Sequence, residues 1–206
     1  MIGRQSQTDV PRLTRRSEKR LVADARGGCE DAARALVDAH QDRLFAFVWR
    51  ILRNHEESEE ICQEAFLRAF HSLDSFSSEY RFSTWLFTIG YRLCLNHLRR
   101  RKSLTGEVDF TSLEPDVSDR LAESEEARRM KDCIWEAVDR LTVPQRAAVV
   151  LYYRENLSCE EISRSLSIPT ATVKSHLHRA RRRLKESLAG LVDDWSEVRV
   201  LRETGS

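Results

Sequence analysis

Residues 158–185 read SCEEISRSLSIPTATVKSHLHRARRRLK, and this stretch decides the fold. Ser158 and Glu161 have the spacing of a capping box, in which the serine hydroxyl accepts a hydrogen bond from the N3 amide and the glutamate accepts one from the cap amide. The helix that starts there breaks at residues 167–169, where Pro169 fits the first turn of a second helix. Two short helices joined by so tight a break predict a helix-turn-helix.

The second of these helices has two distinct faces when successive residues are placed about 100° apart. One narrow stripe is apolar and should pack on the domain: Val173, Leu177, Ala180 and Leu184. The opposite side is polar and basic: Ala171, Ser175, His178, Arg179 and Arg182, flanked by Lys174, Arg181, Arg183 and Lys185. Arginine bonds guanine through two hydrogen bonds, serine and histidine bond base edges, and lysine neutralises phosphate. This face therefore predicts contact with a DNA major groove.

A solvated helix end is the alternative for the basic face, since cations near a helix C-terminus are stabilised by the helix dipole. Residues 174–185 carry six basic side chains and no acidic one. A merely solvated face usually mixes glutamate with its lysine and arginine, so the DNA-binding interpretation is favoured.

The formal net charge of +1, from 34 basic and 33 acidic residues, would argue against nucleic-acid binding if charge were spread evenly. Residues 92–102 instead form a second basic stretch without acids, whereas residues 56–64 carry five glutamates without a base. Residues 107–126 contain eight acids and one arginine, together with a proline. That composition is typical of a solvated linker.

The chain shows apolar residues at helical spacing and no sustained period-two alternation, which predicts an all-α fold. Helices are predicted over 17–25, 30–52, 57–73, 83–101, 122–141, 144–154, 158–166 and 170–188. They form two small helical domains with a flexible acidic linker and two tails: domains 20–103 and 128–190, linker 104–127, tails 1–19 and 191–206.

Composition excludes several classes of protein. With 41% hydrophobic residues the chain can bury cores, and its longest apolar runs, six or seven residues, are too short to span a membrane. Residues 1–20 hold no apolar block typical of a signal peptide, so a cytoplasmic protein is expected. The five cysteines lie 26 to 39 positions apart without a C-x-x-C pair, which favours buried or half-buried thiols over disulfides or zinc.

An enzyme would need a metal or nucleophile site, and only two histidine clusters come near one. His55, followed by two glutamates, lacks the second helical histidine of H-E-x-x-H, and His176 with His178 has no third ligand nearby. No nucleophile stands in a suitable context with a base. We therefore expect no enzyme, no metal site and no cofactor.

The predicted helix 57–73 buries an apolar stripe and leaves an acidic face. The stripe consists of Ile61, Ala65, Phe66, Ala69, Phe70 and Leu73, and another side carries Glu60, Gln63, Glu64, Leu67 and His71. Such a patch, with one apolar residue inside it, is either simply solvated or docks a basic partner. In the second case its charges would speed and orient the encounter.

Residues 76–87 read FSSEYRFSTWLF, in which aromatic residues are interleaved with serine, threonine and arginine. Followed by the basic stretch 92–102, this arrangement suits single-stranded DNA, because rings stack on unstacked bases and cations neutralise phosphates. Phe82 and Trp85 are expected inside the domain. The loop 77–81 is therefore the part predicted to contact bases.

Several short motifs occur in one order along the chain: EICQEAFLRAF at 60–70, FSTWL at 82–86, LRRR at 98–101, LTVPQR at 141–146, LSCEEI at 157–162 and TVKSHLHRAR at 172–181. Taken together, these motifs resemble bacterial RNA polymerase sigma factors of the extracytoplasmic-function (ECF) group. The resemblance covers about residues 20 to 190 and implies sigma region 2 joined to sigma region 4. A helix-turn-helix alone would be weaker evidence, because it occurs in many unrelated regulators.

The resemblance implies a transcription initiation factor with three sets of binding residues. The β′ clamp helices of core RNA polymerase would contact Glu60, Gln63, Glu64 and Leu67. The melted −10 element would contact Ser77, Ser78, Glu79, Tyr80, Arg81, Ser83, Arg92, Asn96, Arg99 and Arg100. The −35 duplex would contact Thr172, Lys174, Ser175, His178, Arg179, Arg181 and Arg182. Further partners implied in this way are the polymerase β flap and an anti-sigma factor, with no insertion of this chain into a membrane.

The alternative function is a helix-turn-helix transcriptional regulator that binds DNA without acting as a sigma subunit. A regulator of this kind would not explain the acidic helix or the FSTWL motif. Ser167 stands where the turn of the family usually has glycine, so the resemblance alone leaves the geometry of the turn open. The acidic linker is further expected to discourage DNA binding by the free protein, which neutralising its acids would test.

Overall fold

The computed structural model describes residues 13–105 and 125–189, whose regular elements are all helices. Within these residues eight α-helices follow one another: α1 Arg15–Arg26, α2 Glu30–Leu52, α3 His55–His71, α4 Phe82–Thr105, α5 Glu125–Asp139, α6 Val143–Val149, α7 Cys159–Leu166 and α8 Thr170–Leu188. A 3-10 turn at Leu73–Ser75 follows α3, and a π-helical turn at Val150–Arg154 extends α6. The predicted all-α class is confirmed. We call α1 to α4 the N-terminal bundle and α5 to α8 the C-terminal bundle.

Helix boundaries in the N-terminal bundle follow from local caps. Asn54 accepts a hydrogen bond from the Glu57 amide at 3.0 Å, so α3 begins at His55, two residues before the predicted start. Thr14 caps α1 in the same way. Arg53 adopts a left-handed backbone with φ 58°, which ends α2 and turns the chain into α3.

Aromatic rings fill the core of the N-terminal bundle. Phe47 and Phe87 meet edge to face with centroids 5.3 Å apart, and Phe76 meets Phe82 at 6.0 Å. Such pairs add about 0.5–1.5 kcal/mol beyond the burial of their area. Phe82 is fully buried, as predicted, whereas Trp85 is only half-buried. The start of α4 is thereby anchored in the core.

The C-terminal bundle contains the predicted helix-turn-helix. The Ser158 hydroxyl accepts from the Glu161 amide at 3.2 Å, and the Glu161 carboxylate accepts from the Ser158 amide at 2.9 Å, which completes the capping box. After α7, Ser167 takes a left-handed backbone with φ 55°, and Pro169 precedes α8. The turn thus has the backbone that glycine adopts most easily, although it carries serine.

Replacing Ser167 by glycine should stabilise the C-terminal bundle by about 1 kcal/mol, because a left-handed backbone costs a residue with a side chain about 1–2 kcal/mol. The change also removes a surface hydrogen bond from Arg92, 3.0 Å long, whose net contribution is smaller. The thermal midpoint of unfolding measures the effect and should rise. The control Ser187→Gly, at an exposed site inside α8, should lower it. A fall in both variants would contradict the strain at residue 167.

The cysteines of the described residues are free thiols, as expected, but one of them is exposed to solvent. Cys62 and Cys94 are buried, and burial raises the pKa of Cys62 to about 12 and also raises that of Cys94. Cys133 and Cys159 are half-buried. The prediction is wrong for Cys29, which is exposed because it precedes the first turn of α2.

In the part of the chain that the structure describes, no helix has the length and apolar character needed to cross a membrane.

The two bundles lie against each other. α7 packs along α4 and α6 lies against α2, and the buried apolar side chains of both bundles form one contiguous cluster. The ends of the predicted linker 104–127 are helical, since α4 runs to Thr105 and α5 begins at Glu125. Residues 1–12, 106–124 and 190–206 lie outside the described residues. The predicted effect of the acidic linker on DNA binding therefore falls on residues that the structure does not describe.

Candidate nucleic-acid interfaces

The four residues predicted to bind polymerase share one outer face of α3: Glu60, Gln63, Glu64 and Leu67. Glu60 and Gln63 are exposed, and Leu67, at 56%, is the most exposed large apolar side chain among the described residues. Glu64 is half-exposed, because its carboxylate lies 2.6 Å from the Arg68 guanidinium. Arg68 was not among the predicted residues, and it places one base beside the acids. We call these four predicted residues the α3 patch.

The loop between α3 and α4 presents polar residues to solvent. Its residues predicted to contact the −10 element are exposed or half-buried: Ser77, Ser78, Glu79 and Tyr80 are exposed, and Arg81 is half-buried. Tyr80 keeps 39% of its surface, enough to offer a ring face. Ser83 corrects the prediction, since its side chain is buried in the first turn of α4 and is not accessible to DNA.

Two arginines of α1 form hydrogen bonds with the segment between α3 and α4 and hold it against the N-terminal bundle. The Arg26 side chain donates from Nε to the Leu73 carbonyl at 2.8 Å and from Nη2 to the Phe76 carbonyl. Arg15 donates to the Glu79 carbonyl farther along the loop. The sequence pattern does not indicate a role for these arginines, because their hydrogen-bond partners are distant along the chain. They are positioning residues for the predicted −10 surface.

A buried carboxylate completes the attachment. Oε1 of Glu18 accepts from the Ser83 amide at 3.2 Å and lies 3.3 Å from Nε2 of His40. Burial alone raises the pKa of Glu18, but hydrogen bonding and charge from His40, the Ser83 amide and the Arg81 charge together lower it below 4.5. One signal in the sequence could have revealed this role. Glu18 precedes Val22 by four residues on the buried stripe of α1, where an acid is unexpected.

Replacing Glu18 by glutamine should lower the free energy of unfolding near neutral pH by about 1–2 kcal/mol, because a charge-assisted bond to a helix start is lost. Since folding lowers the Glu18 pKa, its stabilisation is complete above the unfolded value of 4.5 and disappears as pH falls through the folded value. The difference between wild type and Glu18→Gln should therefore be largest above about pH 4.5 and shrink as pH falls below that value. Urea unfolding measures it, with the exposed Asp38→Asn as control. A difference independent of pH would contradict this.

The outer face of α4 continues the loop surface. Its predicted DNA contacts are all exposed: Arg92, Asn96, Arg99 and Arg100. The Asn96 side-chain carbonyl accepts from Arg99 at 3.2 Å, which holds the two side chains side by side. Arg101, in contrast, turns toward Glu57, with its Nη1 3.6 Å from the carboxylate. The basic stretch therefore divides between an outward face and a contact with α3.

The basic face of α8 points away from the bundle. Val173, Leu177 and Ala180 of the predicted apolar stripe are buried, and Leu184 is half-buried. The predicted −35 contacts are exposed, apart from two half-buried residues near the start of the helix: exposed Lys174, His178, Arg179, Arg181 and Arg182, half-buried Thr172 and Ser175. The major groove of B-DNA is wide enough to admit an α-helix, so these exposed side chains can reach base edges and phosphates.

Two residues of α8 have neighbours that the periodicity did not indicate. Arg181 donates from Nε to the Tyr153 hydroxyl at 2.7 Å, and its guanidinium lies 5.6 Å from the Tyr152 ring centroid. This pairing turns Arg181 toward the π-helical turn rather than straight outward. Burial and the Arg179 charge lower the pKa of His176, which favours its neutral form.

Comparison with known proteins identifies both bundles. The family described as Sigma-70 region 2 matches residues 36–104, and Sigma-70, region 4 matches residues 131–184. The ECF RNA polymerase sigma factor SigW of Bacillus subtilis is 31% identical over 182 residues, covering 84% of this chain and 97% of its own. The RNA polymerase sigma-H factor of Pseudomonas aeruginosa is 28% identical over 189 residues, covering 87% of this chain and 98% of its own.

Two solved structures share the fold. CnrH, solved with the cytosolic domain of CnrY, has a TM-score of 0.63 and 23% identity, covering 85% of this chain and 99% of that one. RpoE of Bartonella quintana, solved with the anti-sigma factor NepR, has the same TM-score of 0.63 and 23% identity, covering 76% and 96%. At this identity they support the helical architecture alone.

The alternative of a regulator with only a helix-turn-helix is not favoured, because both families match in order along the chain. SigW also aligns over most of both sequences. The chain belongs to the extracytoplasmic-function group of RNA polymerase sigma factors, which are non-catalytic transcription initiation factors.

Proposed function

We propose that this chain binds the β′ clamp helices of core RNA polymerase with the α3 patch and directs the enzyme to promoters through two separate DNA-binding surfaces. The observation that carries the proposal is Leu67, a large apolar side chain 56% exposed among polar neighbours on a helix that buries its other side. Such a residue contributes little to folding, and a central apolar anchor ringed by polar groups is typical of a protein interface. The acids around it would steer a basic partner.

The loop 77–81 and the outer face of α4 would hold the −10 element as a single strand. Tyr80 offers a ring face for an unstacked base, and Arg92 and Arg99 offer charges for the phosphates that follow. Unstacking a base costs a few kcal/mol, which binding on the loop must offset. Recognition of the sequence and opening of the duplex would then be one event. The anchors Arg26 and Glu18 support this role, because they hold the loop before DNA arrives.

The outer face of α8 would enter the major groove of the −35 element. Arg179 and Arg182 are exposed on the side opposite the buried stripe, where a guanidinium can bond guanine through two hydrogen bonds. Lys174 lies near the start of the same face and would contact phosphate. Arg181, held by Tyr153, suits backbone contact at the edge of the groove better than base contact.

Regulation by a protein partner follows from the relatives rather than from a site in this chain. CnrH and RpoE were each solved with a protein bound, in one case named as an anti-sigma factor. We infer that a protein of the same kind inhibits this chain in the cytoplasm, and that the polymerase β flap contacts the C-terminal bundle.

Reconstituted transcription tests the proposal. Promoters are first mapped from the transcripts that appear when this chain is overexpressed. Purified core polymerase should initiate at these promoters when the chain is added and should not initiate there without it. Arg179→Ala should weaken binding to the −35 duplex about tenfold while leaving the affinity for core polymerase unchanged. Binding of duplex DNA without any binding of core polymerase would refute the proposal and leave the regulator as the function.

A further inference from the structure

The π-helical turn after α6 places two consecutive tyrosines side by side on the C-terminal bundle. The rings of Tyr152 and Tyr153 meet edge to face, with centroids 5.0 Å apart and an angle of 78° between their planes. Consecutive side chains of a regular α-helix diverge by about 100°, so the wider turn at Val150–Arg154 helps to bring the two rings together. Both tyrosines are half-buried, so part of each remains at the surface. A short π-helical turn of this kind is frequent at functional sites.

Arg181 of α8 lies against both tyrosine rings. Its Nε donates to the Tyr153 hydroxyl at 2.7 Å, and its guanidinium carbon lies 5.6 Å and 5.7 Å from the centroids of the Tyr152 and Tyr153 rings. A guanidinium has several N–H donors in a planar fork, and this hydrogen bond uses only the one on Nε. Because the Arg181 side chain is exposed, the donors on its terminal nitrogens are accessible to a ligand.

The groups that hold Arg181 carry no formal charge. A hydroxyl and two aromatic rings orient the guanidinium without neutralising it, so its positive charge remains for an anion. The next residue differs, because Nε of Arg182 lies 3.7 Å from the Glu186 carboxylate. Holding a long side chain in advance also reduces the conformational entropy that is lost when a ligand binds. Arg181 is therefore both charged and positioned before any ligand arrives.

Arg181 lies on the flank of the basic face rather than at its centre. With about 100° between successive residues, Lys174, Arg181 and Lys185 fall along one edge of α8, and all three are exposed. Lys174 and Arg181 are about 10 Å apart along the helix axis, since each residue of an α-helix adds about 1.5 Å. A helix in the major groove presents its central residues to bases, whereas its edges lie beside the phosphates that border the groove. A row of cations along one edge therefore suits one phosphate strand.

We propose that Arg181 binds one backbone phosphate beside the −35 groove, and that Tyr153 is the positioning residue that holds the guanidinium for this contact. The Tyr152 ring adds a second support. The inference rests on the proposed function for the −35 duplex, and it adds a residue outside α8 to that surface. Because the phosphate is the same at every base pair, the contact supplies affinity and register without sequence discrimination. Discrimination is left to central residues of the face such as Arg179.

Binding of duplex DNA by the full chain tests this assignment. Anisotropy measures the affinity for two fluorescein-labelled duplexes, one of mixed sequence and one carrying the −35 region of a promoter mapped from the transcripts. Each titration is repeated between about 50 and 200 mM salt, because the slope of log affinity against log salt reports the number of phosphate contacts. The variants are Tyr153→Phe, Arg181→Ala, the combination of these two, and Arg181→Lys. Arg140→Ala, at a side chain 72% exposed in the same bundle, is the control for net charge.

Arg181→Ala should weaken binding to both duplexes by the same factor, about tenfold, and lower the magnitude of the salt slope by about one, because one phosphate contact is lost. Tyr153→Phe should weaken both about threefold without changing the slope, since it removes a hydrogen bond but no charge. In the Arg181→Ala background, Tyr153→Phe should have no further effect, because the hydroxyl acts through the arginine. Arg181→Lys should keep the slope of the unchanged chain, and Arg140→Ala should change neither affinity nor slope.

Three outcomes would overturn the proposal. A change in the ratio of the two affinities in Arg181→Ala would show that Arg181 reads a base rather than a phosphate. An unchanged salt slope in the same variant would show that its guanidinium makes no phosphate contact. Losses that multiply in the double variant would show that Tyr153 does not act through Arg181.

Arg179→Ala separates this inference from the proposed function on which it rests. This variant should weaken binding to the −35 duplex more than binding to the duplex of mixed sequence, because Arg179 is placed to contact bases. If it does so while Arg181→Ala and Tyr153→Phe change nothing, the −35 surface stands and the phosphate site is refuted. Failure of the unchanged chain to bind either duplex would contradict both.

Discussion

Replacing Arg146 by methionine should lower the free energy of unfolding by about 3–5 kcal/mol, the largest effect that we expect from a single change in this chain. The Arg146 side chain is 2% exposed. It donates to the carbonyls of Leu141 at 3.1 Å, Arg50 at 2.8 Å, and Asp139. Methionine fills a similar volume without a donor, so three carbonyls lose a partner and the nearby Asp139 carboxylate loses a cation.

Urea unfolding of the full chain, followed by circular dichroism, measures this loss. Arg140→Met is the matched control, because Arg140 is also close to the end of α5 but its side chain is 72% exposed. The control should shift the free energy of unfolding by less than about 0.5 kcal/mol. Equal effects of the two substitutions would contradict the role assigned to Arg146, since only the buried guanidinium has carbonyls to satisfy.

Arg146 also shows how far the sequence could predict the structure. The motif LTVPQR was recognised by its resemblance to the family, and its proline indicated the start of a helix. The structure adds the physical reason for its arginine, which satisfies carbonyls where α5 ends and α6 begins. The sequence is sufficient to recognise the motif. It does not show which backbone carbonyls accept hydrogen bonds from the arginine, because these contacts depend on the packing of the helices.

Helix positions and outer faces depend on local periodicity, and these predictions were confirmed except at several helix ends, which differ by a few residues. α2 spans Glu30–Leu52 and α8 spans Thr170–Leu188, as predicted, because apolar spacing and caps are encoded within a few residues. The capping box at Ser158 is an example in which two side chains and two amides decide a boundary alone. The basic face of α8 follows from the same geometry.

Contacts between distant elements could not be predicted in this way. Arg26 reaches a carbonyl 47 residues farther along the chain, and Glu18 reaches an amide 65 residues farther along. Both are charged residues on a surface helix, and an average surface helix carries many such residues without long-range partners. The contact of Arg50 and Arg53 with Asp139 joins two domains that the sequence suggested only as separate units.

In the proposed function, binding to polymerase depends on a residue that the fold does not use. Leu67 is 56% exposed, and the acid nearest to it along the patch, Glu64, is already paired with Arg68 at 2.6 Å. Reversing the charge of Glu64 should therefore weaken polymerase binding less than changing Leu67, because its carboxylate is partly neutralised and screened. An apolar side chain that is desolvated on binding carries more energy than a charge at the rim.

Replacing Leu67 by aspartate should weaken binding to core polymerase by at least about 30-fold, since loss of an interface anchor costs about 2 kcal/mol or more. The thermal midpoint should stay within error of wild type, because the side chain is mostly solvated in the free protein. Titration of labelled chain with core polymerase measures the affinity, and Leu67→Met should retain it because the apolar surface is kept. Unchanged binding by Leu67→Asp would show that polymerase contacts another face, whereas equal loss by both variants would indicate a requirement for leucine's shape rather than its apolar surface.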